Sequence, residues 1–290
     1  ISGNATFNDS SYNNGGVING NATFYGNSYN YIGKINGNAT FYDTSNNQGP
    51  ISGDATFEDS AVPQSSTLSG NVLLNTTGAV SMGSRMTGAL KTLTMSGSGT
   101  VTLTKANTHT GLTTVGAGTL AYGTNNALGS GDVTVNGGTL DMGGYTDTVG
   151  AVTLKGGAIT GTTGILTGTS YALESGTISA KLGGAGATLT KTGAGTATLS
   201  GTNTYTGATN VNAGTLRVDG SIALSNLTTV QTSGTLSGSG TTGNLTIANG
   251  GTLSPGSSPG TLTTSGDATY AGGGTYTWEI NDAGGVKGTN

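Results

Sequence analysis

The sequence has no cysteine and is poor in charged residues and proline. Of the 290 residues, four are proline and 8% are charged, against roughly 25% charged in an average globular domain. The absence of cysteine excludes a disulfide framework. A net charge of only -4 with so little proline argues against intrinsic disorder. Neither a signal peptide nor an initiator methionine opens the chain, so we expect a fragment of a longer protein.

Long apolar runs and clusters of basic residues are also missing. No apolar run approaches the roughly 20 residues that a membrane-spanning helix needs. The nine lysines and arginines are dispersed along an acidic chain and form no cationic stripe for phosphates. We therefore expect no nucleic-acid partner.

Glycine is abundant and recurs at a regular interval. It supplies 56 residues without the every-third-residue period of collagen, and the scattered Val, Leu, Ile and Thr favour strands. A glycine followed by Thr or Ala, and usually by an aliphatic residue, recurs at a nearly constant interval; the glycines are Gly99, Gly118, Gly138, Gly157, Gly176, Gly195, Gly214, Gly234 and Gly251. A second short strand begins shortly before most of them, as in GLTTV and GATNV. Each period therefore predicts two strands, a glycine corner and a return.

The N-terminal part has a shorter repeat. GNATF begins at Gly3, Gly20 and Gly37, GDATF at Gly53 and GNVLL at Gly70. Strand alternation places alternate side chains on one face. We expect it to turn one Ala and one Phe of each repeat inward and to leave the Thr outward; these are Ala5, Ala22, Ala39 and Ala55 with Phe7, Phe24, Phe41 and Phe57.

Short strands at a constant interval, with no helical pattern between them, predict a solenoid. An antiparallel sandwich would not keep one residue type at one phase over so many periods. We predict an all-β fold, a right-handed parallel β-helix (β-solenoid) of about 15 turns of 16–20 residues, about 70 Å long. The handedness follows the general preference of parallel crossover connections.

Two stretches five periods apart resemble a known repeat. GSGTVTLTKANTHTGLTTVGAGTLAY (residues 97–122) and GAGTATLSGTNTYTGATNVNAGTLRV (residues 193–218) are similar to the passenger-associated transport repeat of bacterial autotransporters. Its pattern is a G-x-G-T-L-T-L strand, an N-T-Y-T-G turn and a V-x-x-G-T-L strand. Residues 250–280 resemble the region that closes such passengers.

The resemblance implies a surface-displayed right-handed β-helix that is exported through a C-terminal membrane barrel. The alternating strands of such a barrel are not seen before Asn290, so we expect any membrane contact to pass through a barrel outside this chain. The expected location is extracellular or on the bacterial cell surface. We divide the chain into short-period (about 17-residue) repeats at residues 1–75 and a passenger-like β-helix with about 19-residue turns at residues 76–290, continuous with the first part.

Residues for catalysis are scarce. His109 is the only histidine and takes the place of Tyr205 in the second copy, which favours a turn residue over a general base. No HExxH, Walker-type, paired-cysteine or EF-hand motif is present. Asp141 and Asp147 form a loose pair of carboxylates. We predict no catalytic residue, no cofactor and no enzymatic activity.

A second set of carboxylates recurs with the short repeat. Asp9, Asp43 and Asp59 each lie two positions beyond a stacked Phe, and Gly26 takes that place in the second turn. On adjacent turns, Asp43 and Asp59 would be close enough to bind calcium. We favour solvated loop acids, predict no metal site and leave calcium as the alternative.

Tyrosines offer the candidate ligand-binding residues. Tyr25 and Tyr42 each follow a stacked Phe, and Tyr12 and Tyr29 lie five positions after Phe7 and Phe24, which predicts outward positions on neighbouring turns. Such rings can bind a sugar or a partner protein. They can also stack on one another and only stabilise the solenoid, which is the interpretation we favour.

Three classes of function remain. The preferred one is a non-catalytic, surface-displayed structural or adhesive module of a larger secreted bacterial protein, acting as a stalk or as a binding surface for a glycan or protein. The second is a self-associating filament or surface-layer element. The third is a carbohydrate-active enzyme on a β-helix, which the lack of an acid/base constellation disfavours.

Overall fold

A computed structural model describes residues 1–256 and 260–279, and among these residues every regular element is a β-strand. The chain divides into two compact units, Ile1–Thr169 and Ser170–Asn290. One turn of the solenoid, with its strands, is called a rung below. The all-β parallel solenoid is confirmed, and the two units together hold about 14 turns, close to the number predicted. The right-handed sense and the overall length stay predictions, as does the boundary near residue 75.

The strands of the first unit are short. They are β1 (Ala5–Phe7), β2 (Tyr12–Asn13), β3 (Val17–Ile18), β4 (Ala22–Phe24), β5 (Tyr29–Asn30), β6 (Lys34–Ile35), β7 (Ala39–Phe41), β8 (Asn46–Asn47), β9 (Ala55–Asp59), β10 (Val62–Pro63), β11 (Thr67–Leu68), β12 (Val72–Thr76), β13 (Ala79–Met82), β14 (Arg85–Met86), β15 (Leu93–Met95), β16 (Thr100–Leu103), β17 (Thr113–Val115), β18 (Thr119–Tyr122), β19 (Val133–Asp141), β20 (Asp147–Thr148), β21 (Val152–Thr160) and β22 (Ile165–Thr167).

The first unit holds nine rungs in its described residues, led by β1, β4, β7, β9, β12, β15, β17, β19 and β21. Each leading strand pairs in parallel with the next. Up to β12 the register advances in 16-residue or 17-residue steps, as in Ala39↔Ala55 and Ala5↔Ala22. The step from Val72 to Leu93 is longer than any that we predicted, and the later steps are slightly shorter than this one. A second column of parallel strands, β13, β16 and β18, accompanies these longer rungs.

The second unit repeats the two-strand rung. Its strands are β23 (Ser170–Leu173), β24 (Gly176–Ile178), β25 (Lys181–Gly183), β26 (Thr188–Lys191), β27 (Thr196–Leu199), β28 (Thr209–Val211), β29 (Gly214–Val218), β30 (Ser221–Ile222), β31 (Thr228–Val230), β32 (Gly234–Gly238), β33 (Thr241–Thr242), β34 (Leu245–Ile247), β35 (Thr252–Pro255), β36 (Thr263–Thr264), β37 (Ala268–Tyr270) and β38 (Thr275–Tyr276). Six leading strands are described, from β23 to β37, and those for which a register is given pair in parallel. The strand predicted at GATNV is confirmed as β28.

A stack of aromatic rings fills the core of the short rungs. The ring centroids of Phe7 and Phe24, and of Phe24 and Phe41, lie 4.6 Å apart, and those of Phe41 and Phe57 lie 5.0 Å apart, with nearly parallel planes. All but Phe7 are fully buried. The inward Phe column is therefore confirmed. At β12 the column passes to Leu74, which pairs with Phe57, so the aromatic core becomes aliphatic where the rungs lengthen.

The sharp corners have a left-handed backbone. Asp9, Asp43 and Asp59 have φ values of 56°, 56° and 52°, and Gly26, at the same phase, has 64°. This conformation suits glycine and, among other residues, Asp and Asn, which explains the alternation of Asp and Gly there. In the longer rungs Gly118 has φ of 56°, and a Cβ added to it would lie 2.3 Å from a backbone oxygen of the preceding rung. The glycine corner predicted at Gly118 is thus confirmed.

Candidate functional site

A buried row of asparagines runs through the first three rungs. Asn13 donates from Nδ2 to Oδ1 of Asn30 (3.0 Å), and Asn30 donates in the same way to Asn47 (2.9 Å). The row continues from Asn47 to the Ser66 hydroxyl at 2.8 Å. Asn30 and Asn47 have no exposed surface. The sequence reasoning missed this row, although its signal was present in the 17-residue recurrence of Asn.

A second polar row lies at the surface and begins in the GNATF motif. In each rung a side-chain oxygen accepts a hydrogen bond from a backbone N–H of the next rung, at 2.8–3.0 Å. The acceptors, called the acceptor row below, are Asn4, Asn21, Asn38, Asp54 and Asn71. The Asn of the motif therefore holds successive rungs in register.

The four candidate tyrosines form two stacked pairs. Tyr25 and Tyr42 have centroids 4.9 Å apart, and Tyr12 and Tyr29 have centroids 5.5 Å apart, with planes within 10° of parallel. Tyr12 is 54% exposed and Tyr25 is 40% exposed. The stacking that we favoured is present, and it covers one face of each ring with its neighbour. Ligand binding by these tyrosines stays a prediction.

The candidate calcium pair contributes to the corners. Oδ2 of Asp43 accepts a hydrogen bond from the backbone N–H of Gly26 (2.9 Å), and Oδ2 of Asp59 accepts one from Asp43 (3.4 Å). Each carboxylate therefore binds the corner of the preceding rung. In the described part of the chain, no group of three or more His, Cys, Asp or Glu side chains could hold a metal ion. Calcium binding by the pair alone stays a hypothesis.

His109 is buried in the core. Its Nε2 lies 3.1 Å from Oγ1 of Thr113, its Nδ1 has no partner among the described residues, and burial lowers its pKa to about 4. Tyr205 makes the equivalent contact in the second unit, from its hydroxyl to Oγ1 of Thr209 at 2.8 Å. Because no described carboxylate binds the imidazole, a Ser-His-Asp arrangement is not formed around it in this part of the chain.

The two members of the other carboxylate pair occupy different environments. Asp147 is buried and accepts hydrogen bonds from the backbone N–H groups of Leu128 (2.8 Å) and Thr148 (2.7 Å). Burial raises its pKa to about 6, and burial together with the neighbouring Asp147 carboxylate raises the pKa of Tyr122. Asp141 is half-buried and binds the N–H of Gly143 at 3.1 Å. The two carboxyls thus belong to separate hydrogen-bond networks.

A buried lysine was not foreseen. Lys191 lies in a column of aliphatic residues between Leu173 and Val211 and has no exposed surface. Its Nζ donates to the carbonyl oxygens of Thr192 (2.6 Å), Gly193 (2.8 Å) and Ala213 (3.1 Å). Desolvation lowers its pKa, and the charge of Glu174 partly opposes this shift. The ammonium group therefore stabilises a corner of the backbone.

The fold and these contacts define a class of protein: a β-solenoid whose rungs are joined by rows of polar side chains. Residues 93–121 and 189–218 match the family model of the passenger-associated-transport-repeat. These matches cover strands β15 to β18 and β26 to β29, apart from the last residue of β18 and the first residue of β26. They agree with the resemblance that the sequence analysis found at residues 97–122 and 193–218. The chain thus carries two repeats of the kind found in autotransporter passengers.

One relative among the curated proteins is an extracellular serine protease of Serratia marcescens. It is 43% identical over 96 residues, which are 33% of this chain and 9% of that protein. No solved structure matches the chain. In the described residues, no helix is long and apolar enough to cross a bilayer. The resemblance of residues 250–280 to the closing region of passengers stays a prediction, and residues 257–259 and Ile280 lie outside the described residues.

Proposed function

We propose that the chain is a non-catalytic structural or adhesive module of a larger secreted bacterial protein, displayed outside the cell as a stalk or binding surface. Two passenger-associated transport repeats support the secreted context. The Serratia relative is named as an extracellular protein, but the match covers only 9% of it, so its protease activity is not transferred to this chain.

The observation that supports the proposal is that the potentially reactive side chains serve the structure of the solenoid. His109 is buried with a lowered pKa and no acid partner among the described residues, Asp147 accepts two backbone hydrogen bonds, and Lys191 donates to three carbonyls. Catalytic groups need access to a substrate. Asp147 and Lys191 instead hold the backbone of the solenoid in place, and His109 contacts the hydroxyl of Thr113 within the core.

The test combines activity and association measurements on the purified chain. We expect no turnover of casein or polygalacturonate, and binding of chain-coated beads to glycan- or protein-coated surfaces without chemical change of either. Turnover that persists through purification and is lost in His109→Gln would instead establish an enzyme.

Sedimentation over a concentration series, with electron microscopy, separates the module from the self-assembling alternative. We expect monomeric particles at micromolar concentration. Ordered filaments or sheets would replace the stalk with an assembly function.

A further inference from the structure

The charges of the chain are distributed unevenly. Residues 60–131 contain no Asp or Glu but hold Arg85, Lys91 and Lys105. The rest of the chain holds all 13 acids and only six of the nine cations. This segment is therefore positive by three charges within a chain whose net charge is -4. It is called the acid-free segment below.

A surface groove lies in the acid-free segment. Its volume is about 330 Å³, near the lower end of the roughly 300–1,000 Å³ typical of small-molecule sites. Its lining residues are Ser65, Ser66, Thr67, Gly83, Arg85 and Lys105. Thr67 pairs in register with Arg85, so the groove crosses successive rungs. Arg85 lies within the long step from Val72 to Leu93, where the solenoid changes its period, and Thr67 lies in the rung before it.

The two cations of the groove have no ion-pair partner among the residues that the structure describes. Arg85 and Lys105 are exposed. The one ion pair among the described residues joins Arg217 to Asp219, far from the groove in sequence. Neither side chain forms a hydrogen bond to another described residue, so an arginine fork and an ammonium group are free to donate.

The floor of the groove is held in place by hydrogen bonds. The hydroxyl of Ser66 accepts from Nδ2 of Asn47 at 2.8 Å and lies 2.7 Å from the hydroxyl of Ser84. The buried asparagine row therefore ends beneath the groove and fixes its polar base. The hydroxyls of Ser65 and Thr67 have no hydrogen-bond partner in the described part of the chain and add two donors near the cations.

We propose that this groove binds an anionic sugar unit, one that carries a carboxylate or sulfate group. Arg85 and Lys105 would hold the anionic group by charge-assisted hydrogen bonds, and the serine and threonine hydroxyls would bind the sugar hydroxyls. The acid-free segment leaves the positive potential of the groove uncancelled by acids nearby in the sequence. This inference rests on the proposed role as a binding surface and names the ligand class.

The test uses the full chain and calorimetric titration at about 0.15 M salt, where screening acts over about 8 Å. The probes are a galacturonate trisaccharide, a heparin-derived hexasaccharide and neutral maltohexaose. We expect at least one anionic probe to bind and the neutral one not to bind. The double variant Arg85→Gln/Lys105→Gln should weaken that binding at least tenfold.

Two further variants separate the groove from the charge of the segment. Lys91→Gln removes the same charge from the acid-free segment as either single groove substitution without touching the groove lining, and should change the affinity less than twofold. Gly83→Leu leaves the charge unchanged but adds a side chain at the lining, where a Cβ meets its nearest atom only at 3.6 Å, and should weaken binding. Thermal unfolding of each variant checks that the fold is retained.

Several outcomes would overturn the proposal. If Lys91→Gln lost as much affinity as each groove variant, binding would depend on the overall positive charge of the segment and not on the groove. If maltohexaose bound as tightly as the anionic probes, the anionic group would not be needed for binding. Inorganic sulfate that binds as tightly as the sugars would exclude the glycan. Adhesion of chain-coated beads to neutral glycans or proteins, unchanged in the double variant, would reject this inference and leave the proposed module intact.

Discussion

The short rungs and the longer rungs bury different kinds of polar groups. Up to residue 76, the buried polar side chains are the neutral amides and hydroxyls of Asn13, Ser28, Asn30, Ser45, Asn47 and Thr76. Beyond residue 76, the described residues also bury a histidine, an aspartate and a lysine, which are His109, Asp147 and Lys191. The short rungs repeat one side chain at one phase, whereas in the longer rungs each of these three side chains is buried singly.

The difference follows from whether a side chain can form a hydrogen bond with an identical side chain on the next rung. An amide has both donors and acceptors, so asparagines on successive rungs satisfy one another. Two carboxylates or two ammonium groups at rung spacing would repel. Asp147 and Lys191 therefore find their partners in the backbone. Among the buried polar side chains of the described residues, identical residues repeat only where they are self-complementary.

The largest effect should come from breaking the aromatic stack. Phe41→Ala removes a ring packed between two others and should lower the free energy of unfolding by about 4 kcal/mol, from the lost burial and the cavity. Leu216→Ala, in an aliphatic column of the second unit, should cost about 3 kcal/mol. Urea unfolding followed by circular dichroism measures both. A cost below about 1 kcal/mol for Phe41→Ala would show that the stack contributes little.

The buried ionisable groups predict opposing pH dependences. Asp147 has a raised pKa of about 6, so its contribution to stability is present below pH 4 and is lost as the pH rises through 6. His109 has a lowered pKa of about 4, so its contribution is present above pH 6.5 and is lost as the pH falls through 4. Each amounts to about 3 kcal/mol, and between pH 4 and 6 the two nearly cancel.

Replacing either residue alone should reveal the pH dependence that the other one contributes. In His109→Gln, stability should rise by about 3 kcal/mol as the pH falls from 6.5 to 4, and in Asp147→Asn it should fall by a similar amount. Urea midpoints at half-unit pH steps give the slopes, which do not depend on the fixed cost of either substitution. Parallel profiles for the two variants and the unmodified chain would refute the assignment.

Breaking the buried asparagine row should have a moderate effect. Asn30→Ala leaves Nδ2 of Asn13 and Oδ1 of Asn47 without their partner and should cost about 2 kcal/mol. The matched control is Asn36→Ala, which removes an exposed amide bonded to Asn19 at 2.7 Å and should cost less than about 0.5 kcal/mol. Equal costs, measured by urea unfolding, would mean that burial of the row adds nothing.

The smallest effect is expected at a left-handed corner. Asp43→Gly should change stability by less than about 0.5 kcal/mol, because Gly26 already occupies the same phase and the lost hydrogen bond is exposed. Asp43→Val should cost about 2 kcal/mol, since a β-branched residue is strained at positive φ. We expect millimolar calcium to leave the melting temperature unchanged. A rise of several degrees that Asp43→Gly abolishes would establish the calcium alternative.

The sequence predicted the parts of the fold that depend on repetition. The strands of the ATF and GTL motifs, the Phe column and the glycine corners were all visible as one residue type at one phase. The environments of Asp147 and Lys191 were not, because each occurs once and some of its partners are backbone groups distant in sequence. Lys191 gave one clue, since Met95 takes its place in the first copy.

The groove could not be predicted from the sequence for a different reason. The lengthening of the steps after β12 was partly visible in the sequence, but the side of the rung that receives the extra residues was not. Only the pairing of Thr67 with Arg85 shows that the cations and hydroxyls meet on one surface. A pattern of spacing gives the phase of a strand, whereas the path of a return loop depends on packing.

The acceptor row has a consequence for how such a chain can change in evolution. It continues from Asn71 to Thr92 across a 21-residue step just as it does from Asp54 to Asn71 across a 17-residue one. The junction between rungs is thus independent of the length of the loop that joins them. Gene segments encoding rungs of different lengths can be duplicated, deleted or exchanged without loss of alignment, as long as each brings its own acceptor to the seam. The same property would let an engineer splice a foreign rung into the chain at that row.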